Sequence, residues 1–99
     1  HYADPREAQR ACQRAAHEML KRYPDPLEIY CERSGDIHRA CAPTAIDAAE
    51  GIRIDYEDWW FCVRPSGPEP KVRLMLEGRT SDTLRNRLSE LRALFTGGD

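Results

Sequence analysis

The stretch that decides the fold runs from Trp59 to Leu76 and reads WWFCVRPSGPEPKVRLML. Its two apolar ends, residues 59–63 and 71–76, have the composition of β-strands. Between them lie prolines, whose fixed φ stiffens the chain, and Gly67, which lets the backbone approach a ligand closely. The stretch therefore predicts two strands joined by a rigid loop.

This loop carries groups that bind anions. Arg64 lies at its entrance and Ser66 near its centre, and two more cations follow its exit. A guanidinium is a planar fork that matches phosphate with two hydrogen bonds, and a turn can aim backbone N–H groups at the same point. A purely structural turn is the alternative, because proline and glycine are common in turns. The predicted site residues are Arg64, Ser66, Gly67, Lys71 and Arg73.

The same residues resemble a known motif. Residues 64–73, with Gly51-Ile52-Arg53-Ile54-Asp55-Tyr56 upstream, are similar to the C-terminal domain of the α-D-phosphohexomutases, which include phosphoglucomutase, phosphomannomutase and phosphoglucosamine mutase. The phosphate-binding loop of that family reads Arg-Pro-Ser-Gly-Thr-Glu-Pro and is followed shortly by an Arg. The positions that match are Arg64, Pro65, Ser66, Gly67, Glu69, Pro70 and Arg73. The family's Thr is Pro68 here, which has neither a hydroxyl nor a backbone N–H.

The resemblance implies a specific role for these residues. Arg64 would hold the substrate phosphate that is not transferred, Ser66 would add a hydroxyl and an N–H, and Gly67 would add an N–H. Arg73 or Lys71 would supply further charge. The parent enzymes interconvert 1-phospho- and 6-phosphohexoses and use magnesium, but their phosphoserine and Asp-rich metal loop have no counterpart in this sequence. We therefore expect no catalytic residue, metal site or cofactor here, and an isolated domain that is catalytically inert.

Two functions remain open at this point. The chain is either the phosphate-anchoring domain of a phosphohexomutase, with a phosphosugar and the other domains of the enzyme as partners, or a free-standing module that binds a phosphosugar or a protein without catalysis. Nucleic-acid binding is disfavoured by a net charge of −2 and a pI near 5.9. The sequence has no apolar run of membrane-spanning length and no signal peptide, so we expect a cytoplasmic protein without membrane partners.

Length and composition predict a single domain over residues 1–99, in which residues 1–26 form an N-terminal helix and connector. A chain of 99 residues can bury one core, and its charged and apolar fractions, 32% and 40%, are typical of globular proteins. The cysteines form no CxxC pair and are predicted to be reduced, partly buried thiols: Cys12, Cys31, Cys41 and Cys62. A zinc site joining Cys12 and Cys41 with His17 and His38 is the alternative, although this spacing fits no common zinc module.

Both ends of the chain predict helices. Asp4-Pro5-Arg6-Glu7 combines an N-cap with a proline at the first helical position, and the helix should end before Pro24. Its apolar stripe is Ala8, Ala11, Cys12, Ala15, Ala16, Met19 and Leu20. Thr80-Ser81-Asp82 begins a final helix that Gly97 should stop. Its apolar stripe is Leu84, Leu88, Leu91, Leu94 and Phe95, and its solvated face is expected to hold Arg85, Arg87, Glu90 and Arg92.

The middle of the chain predicts strands. Residues 27–32 alternate, with Leu27, Ile29 and Cys31 on the apolar side, and Ser34 could open a short helix through residue 41. Residues 52–56 and 59–64 form a predicted hairpin around Glu57-Asp58, and residues 72–76 form a further strand. Adjacent Trp59 and Trp60 point to opposite sides of a strand, so one of them should be core. The predicted fold is α+β, with about four mostly antiparallel strands and helices on one face. The resemblance implies that this fold is similar to that of the TATA-box-binding protein.

Overall fold

The structure, a computed structural model, describes residues 4–40, 44, 46, 50–66 and 69–96. In these ranges the chain forms α1 (Pro5–Arg22), β1 (Glu28–Arg33), β2 (Asp36–Arg39), β3 (Ile52–Asp55), β4 (Trp59–Pro65), β5 (Val72–Gly78) and α2 (Ser81–Phe95). The strands form one antiparallel sheet in the order β2-β1-β3-β4-β5. The predicted α+β class with antiparallel strands is confirmed, with five strands in the described ranges where about four were expected.

Helix α1 begins where the sequence predicts. The Asp4 carboxylate accepts hydrogen bonds from the N–H of Arg6 at 2.8 Å and of Glu7 at 3.1 Å, and Pro5 occupies the first helical position. The predicted stripe is fully confirmed, and its buried residues are Ala8, Ala11, Cys12, Ala15, Ala16, Met19 and Leu20. Because most of these side chains are small, the helix can lie close against the sheet, where it contacts β4 most extensively.

The strands send alternate side chains to two different faces of the sheet. The core face lies under the described helices, and its buried side chains are Ile29, Cys31, Ile52, Ile54, Trp59, Phe61 and Val63. The open face is the opposite side, and its side chains include Tyr30, Glu32, Arg53, Trp60, Cys62, Arg64, Arg73 and Met75. Trp59 is 5% exposed while Trp60 is only half-buried, which confirms that one tryptophan is core.

The predicted hairpin of β3 and β4 is confirmed, with the Tyr56 N–H donating to the Trp59 carbonyl at 2.7 Å across the turn. Strand β1 is shifted by one residue from the predicted strand, residues 27–32. The sequence predicts Leu27 on the apolar side of the strand, but this residue precedes β1 and is 62% exposed. Its N–H still donates to the Asp55 carbonyl at 2.8 Å, so the backbone continues the ladder while the side chain leaves the core.

The prediction of a helix after Ser34 is wrong, because residues Asp36–Arg39 form strand β2. Ser34 and Gly35 have φ angles of 53° and 83° and form a two-residue turn between β1 and β2. Positive φ at both central positions is typical of the type I′ turn, whose twist matches that of the paired strands. Every side chain of β2 is exposed, so no apolar pattern marked this strand in the sequence. The rest of the helix prediction, at residue 41, lies outside the described residues.

Helix α2 begins at the predicted cap, where the Thr80 hydroxyl accepts from the Thr83 N–H at 3.1 Å. Its apolar stripe is only shallowly buried. Leu91 is the one fully buried residue of this helix, and Leu84 is 36% exposed. The predicted stop at Gly97 lies outside the described residues. The helix therefore needs other contacts to hold it on the sheet.

Two charged side chains of α2 supply those contacts, which corrects the prediction that they form part of a solvated face. The Arg87 guanidinium carbon lies 4.3 Å from the ring centroid of Tyr23 and 5.3 Å from that of Trp59. The Tyr23 hydroxyl donates to Glu90 at 2.7 Å. Cations stacked on aromatic rings stabilise such contacts by roughly 0.5–2 kcal/mol. The pair joins α2 to the end of α1 and to β4, a tertiary contact that helical periodicity does not reveal.

Candidate anion-binding site

Four residues form one row across the open face: Glu32, Gly51, Arg64 and Arg73. The register of β4 and β5 places Arg64 directly opposite Arg73. On the other side, the Glu32 N–H donates to the Gly51 carbonyl at 3.0 Å, and the pairing of Ile52 with Val63 brings Gly51 alongside Arg64. Two predicted site residues, one from each side of the loop, are thus brought together on the same face.

Arg64 and Arg73 are two like charges in directly opposite positions. Side chains at such positions start about 5 Å apart, and like charges there are destabilising. Arg73 is exposed, and it has no ion-pair partner among the residues that the structure describes. An anion bound between the two guanidinium groups would offset their repulsion. Two guanidinium groups in this arrangement favour the binding of an anion.

Arg64 already has one anionic partner. Its Nη2 lies 3.1 Å from Oε2 of Glu32, and the two side chains are 39% and 31% exposed. A pair this accessible to water contributes about 1 kcal/mol or less. A guanidinium carries several N–H donors, and a contact through one nitrogen does not use all of them. Glu32 is absent from the predicted site residues, although the alternation of β1 places it on the polar side of that strand.

The loop itself is closed by backbone hydrogen bonds. The Ser66 N–H donates to the Lys71 carbonyl at 2.9 Å, and the Glu69 N–H donates to the Ser66 carbonyl at 3.1 Å. The Ser66 N–H, which was predicted to bind the anion, is therefore engaged inside the loop, whereas its hydroxyl has no hydrogen-bond partner in the described part of the chain. The predicted Gly67 donor and the effect of Pro68 fall outside the described residues and stay predictions.

Lys71 is held differently from the two arginines. Its Nζ lies 3.2 Å from the Glu69 carboxylate, and the side chains are 48% and 59% exposed. This lysine precedes β5 and is not part of the row that joins Arg64 and Arg73. It can contribute long-range positive charge to the site, but the structure does not bring it into the Arg64 row.

A concavity of about 460 Å³ lies beside Arg64 on the open face. Its lining includes Tyr30, Ile37, Arg53 and Cys62. Burial raises the pKa of the Cys62 thiol, although the charges of Arg64 and Arg53 lower it and that of Glu32 raises it. The thiol is therefore protonated at neutral pH, which disfavours a nucleophilic role. This concavity offers room for the organic part of a ligand whose anionic group lies on Arg64.

Arg53 is engaged with its neighbours on the open face. It pairs with Asp55 at 2.7 Å, and its guanidinium carbon lies 4.0 Å from the ring centroid of Trp60. The strand pairing sets Arg53 opposite Cys62, two residues along β4 from Arg64. Arg53 thus lies on the same face as the Arg64–Arg73 row but is already satisfied by a carboxylate and an aromatic ring.

Within the described ranges, no three His, Cys, Asp or Glu side chains are close enough to hold a metal ion. The magnesium that the resemblance implies for the parent enzymes stays a prediction. The side chains of Cys12 and Cys31 are buried and that of Cys62 is half-buried, as predicted, while Cys41, on which the zinc alternative depends, is outside those ranges. No described helix combines the length and apolar character needed to cross a membrane.

Comparison with known proteins identifies relatives of the chain. Residues 7–94 match the family described as phosphoglucomutase/phosphomannomutase, C-terminal domain. A probable phosphoglucosamine mutase of Pyrococcus furiosus is 42% identical over 45 residues, which are 46% of this chain and 10% of that protein. A probable phosphoglucosamine mutase of Methanopyrus kandleri is 33% identical over 67 residues, covering 68% of the chain and 15% of the relative.

A phosphomannomutase of Escherichia coli is 43% identical over 49 residues, 50% of this chain and 11% of that enzyme. No solved structure matches the chain. The matches to these three relatives span only 10% to 15% of the relatives' own length. The family match over residues 7–94 includes the loop and both of its arginines, Arg64 and Arg73.

Proposed function

The chain belongs to the phosphoglucomutase/phosphomannomutase C-terminal domain family, and from this premise we propose that it binds the non-transferred phosphate group of a phosphohexose substrate. One observation carries the proposal. Arg64 and Arg73, on the two strands that leave the loop, lie opposite each other on the face of the sheet that the described helices leave uncovered. Like charges in directly opposite positions are destabilising, and an anion bound between them would offset the repulsion.

The expected affinity follows from the contacts. Hydrogen bonds to charged groups contribute about 1.5–3 kcal/mol each, and two guanidinium groups can supply several. Part of this free energy is offset by desolvation and by the ordering of exposed side chains. A remainder of about 4 kcal/mol corresponds to a dissociation constant near 1 mM. The isolated chain should therefore bind phosphate weakly and reversibly.

The wider activity is also part of the proposal. Relatives are named phosphoglucosamine mutase and phosphomannomutase, so the parent protein would exchange phosphate between the 1- and 6-positions of a hexose. Its magnesium and its phosphoserine would be supplied by other domains, which would be the partners of this one. The chain's own residues would only bind and orient the substrate phosphate.

A free-standing module that binds a phosphosugar without catalysis is the second candidate. Two observations favour it: the Ser66 N–H is used inside the loop, and Pro68 lacks an N–H. Both reduce the number of backbone donors for an anion. The reading frame upstream of His1 separates the candidates, because a phosphoserine loop and an Asp-rich metal loop there would support the mutase.

The binding role is tested by titrating the isotope-labelled 99-residue chain with inorganic phosphate and with glucose 6-phosphate. We expect millimolar binding, with amide shifts at Ser66 and Arg73. Arg64→Gln should weaken binding about tenfold or more, because it removes a charged fork that contributes at least about 1.4 kcal/mol.

Arg53→Gln is the matched control. It removes the same charge from the same face, but the native Arg53 is bound to Asp55 and Trp60. For inorganic phosphate, its dissociation constant should stay within about twofold of the wild-type value, since the charge that is lost is already paired with Asp55. No shift at tens of millimolar ligand, or equal losses in the two variants, would contradict phosphate anchoring at Arg64.

A further inference from the structure

The ion pair between Arg64 and Glu32 crosses an intervening strand, a feature that the proposed phosphate role does not require. Arg64 lies on β4 and Glu32 on β1, and β3 lies between these strands. Two strand spacings separate the backbones by roughly 10 Å. A glutamate and an arginine can bridge that distance only if nothing on the intervening strand stands between them. The residue at that point of the row is Gly51.

Gly51 makes room for the ion pair. Its φ of 152° is one that residues with a side chain rarely adopt. A Cβ built at this position would lie 3.2 Å from the Arg64 Cβ and 3.6 Å from Oε2 of Glu32. A side chain here would therefore crowd Arg64 and lie in van der Waals contact with the Glu32 carboxylate, in the space that the ion pair crosses. The absence of one leaves the direct path from Glu32 to Arg64 open over the surface of the sheet.

We infer that Glu32 is an internal competitor for the phosphate site: its carboxylate occupies Arg64 in the free protein and is displaced when a phosphate monoester binds. The inference rests on the proposed function and adds a specificity-determining residue to the same site. The contact is suited to exchange, because a single pair of atoms at 3.1 Å joins two side chains that are both about one-third exposed.

The exchange favours one class of ligand. The Glu32 carboxylate carries one negative charge, and Arg73 has no ion pair within the described residues, so the carboxylate does not satisfy both cations. A phosphate monoester carries nearly two charges at neutral pH and several acceptor oxygens. It can bind Arg64 and Arg73 together. A phosphodiester has one charge and gains less over the carboxylate that it must displace.

The opposite role for Glu32 predicts the opposite result. If the carboxylate only held Arg64 in its binding geometry, removing it would loosen the guanidinium and weaken phosphate binding. If it competes, removing it strengthens binding. We expect Glu32→Gln to bind inorganic phosphate about two- to fivefold more tightly than the wild type, which is the range that an exposed ion pair of up to about 1 kcal/mol corresponds to.

Two further variants separate contact from general charge. Glu32→Asp keeps the charge, but its shorter side chain cannot span β3, so it should also tighten binding. Asp55→Asn removes a carboxylate from the same face that pairs with Arg53 and not with Arg64. Asp55 lies four residues along the chain from Gly51, roughly 13 Å away in an extended strand. Its loss should leave the dissociation constant within about 1.5-fold, because that distance exceeds the Debye length.

The measurement is calorimetric or NMR titration of inorganic phosphate into the full 99-residue chain and these three variants, together with the Glu32 side-chain carboxyl ¹³C shift in the wild type. We expect that resonance to move during the titration, as the carboxylate leaves Arg64. Unchanged or weaker binding by Glu32→Gln overturns the inference while the phosphate role stands. Tightening by Glu32→Gln without tightening by Glu32→Asp also overturns it. Absence of binding in all four proteins overturns the proposed function itself, and the inference with it.

Discussion

The core face and the open face of the sheet are made from alternate residues of the same strands, yet different forces act on them. In β4, Phe61 and Val63 are 0% exposed beneath the helices, whereas Cys62 and Arg64 between and after them are only half-buried. Contacts on the open face are ion pairs and a stacked cation, which add little stability at accessible positions. Apolar burial on the core face therefore holds the fold together, and this allows the open face to keep two like charges side by side.

The largest expected effect tests this division directly. Phe61→Ala removes a fully buried ring and should lower the free energy of unfolding by about 3–5 kcal/mol. Met75→Ala removes a side chain of the open face that is 41% exposed, and it should cost about 1 kcal/mol or less. Urea unfolding of both variants provides the comparison. Similar losses would mean that the open face is covered in solution.

The cysteines on the two sides of the sheet also differ in their pKa, and this difference should have an effect of intermediate size on stability. Cys12 lies in α1, which packs on the core face, and Cys62 lies on the open face. Burial, with a smaller contribution from Cys62, raises the pKa of Cys12 from 9.0 to about 12. Above pH 9 the unfolded chain therefore loses a proton that the folded chain keeps, and stability falls as pH rises. At pH 10 this loss should be about 1 kcal/mol.

Replacing one cysteine at a time shows which thiol causes the loss of stability at high pH. Burial also raises the pKa of Cys62, but the neighbouring Arg64 and Arg53 on the open face oppose the shift. Unfolding free energies measured between pH 8 and pH 10 should decline less steeply in Cys12→Ala than in the wild type. Cys62→Ala should retain most of the wild-type decline. The reverse order would assign the stronger desolvation to the open face and contradict the division.

Local signals in the sequence were enough for much of the fold. The cap at Asp4 and the stripe from Ala8 to Leu20 depend only on neighbours within a few residues, so helix α1 could be predicted residue by residue. Strand β2 could not, because its side chains are all exposed and the Ser34-Gly35 turn resembles a helix start in composition. The stacking of Arg87 on Tyr23 depends on how distant elements meet, which periodicity does not contain.

The site could be predicted only in part for the same reason. Its residues stood out around a stiff loop, and the structure brings Arg64 and Arg73 together. Their direct opposition depends on the register of β4 and β5, which the sequence does not state. Glu32 was missed because it lies two strands away from Arg64, and its contact depends on an empty position at Gly51.

The central claim is that Arg64 and Arg73 form one binding site for an anion. Its most direct test is the phosphate dependence of stability in the wild type and in Arg73→Gln. Phosphate at three times its dissociation constant, at constant ionic strength, should raise the wild-type free energy of unfolding by about 0.8 kcal/mol. Without phosphate, Arg73→Gln should be as stable as the wild type or slightly more so, because a like-charge repulsion is removed. With phosphate it should gain almost nothing, and an equal gain in both proteins would contradict the claim.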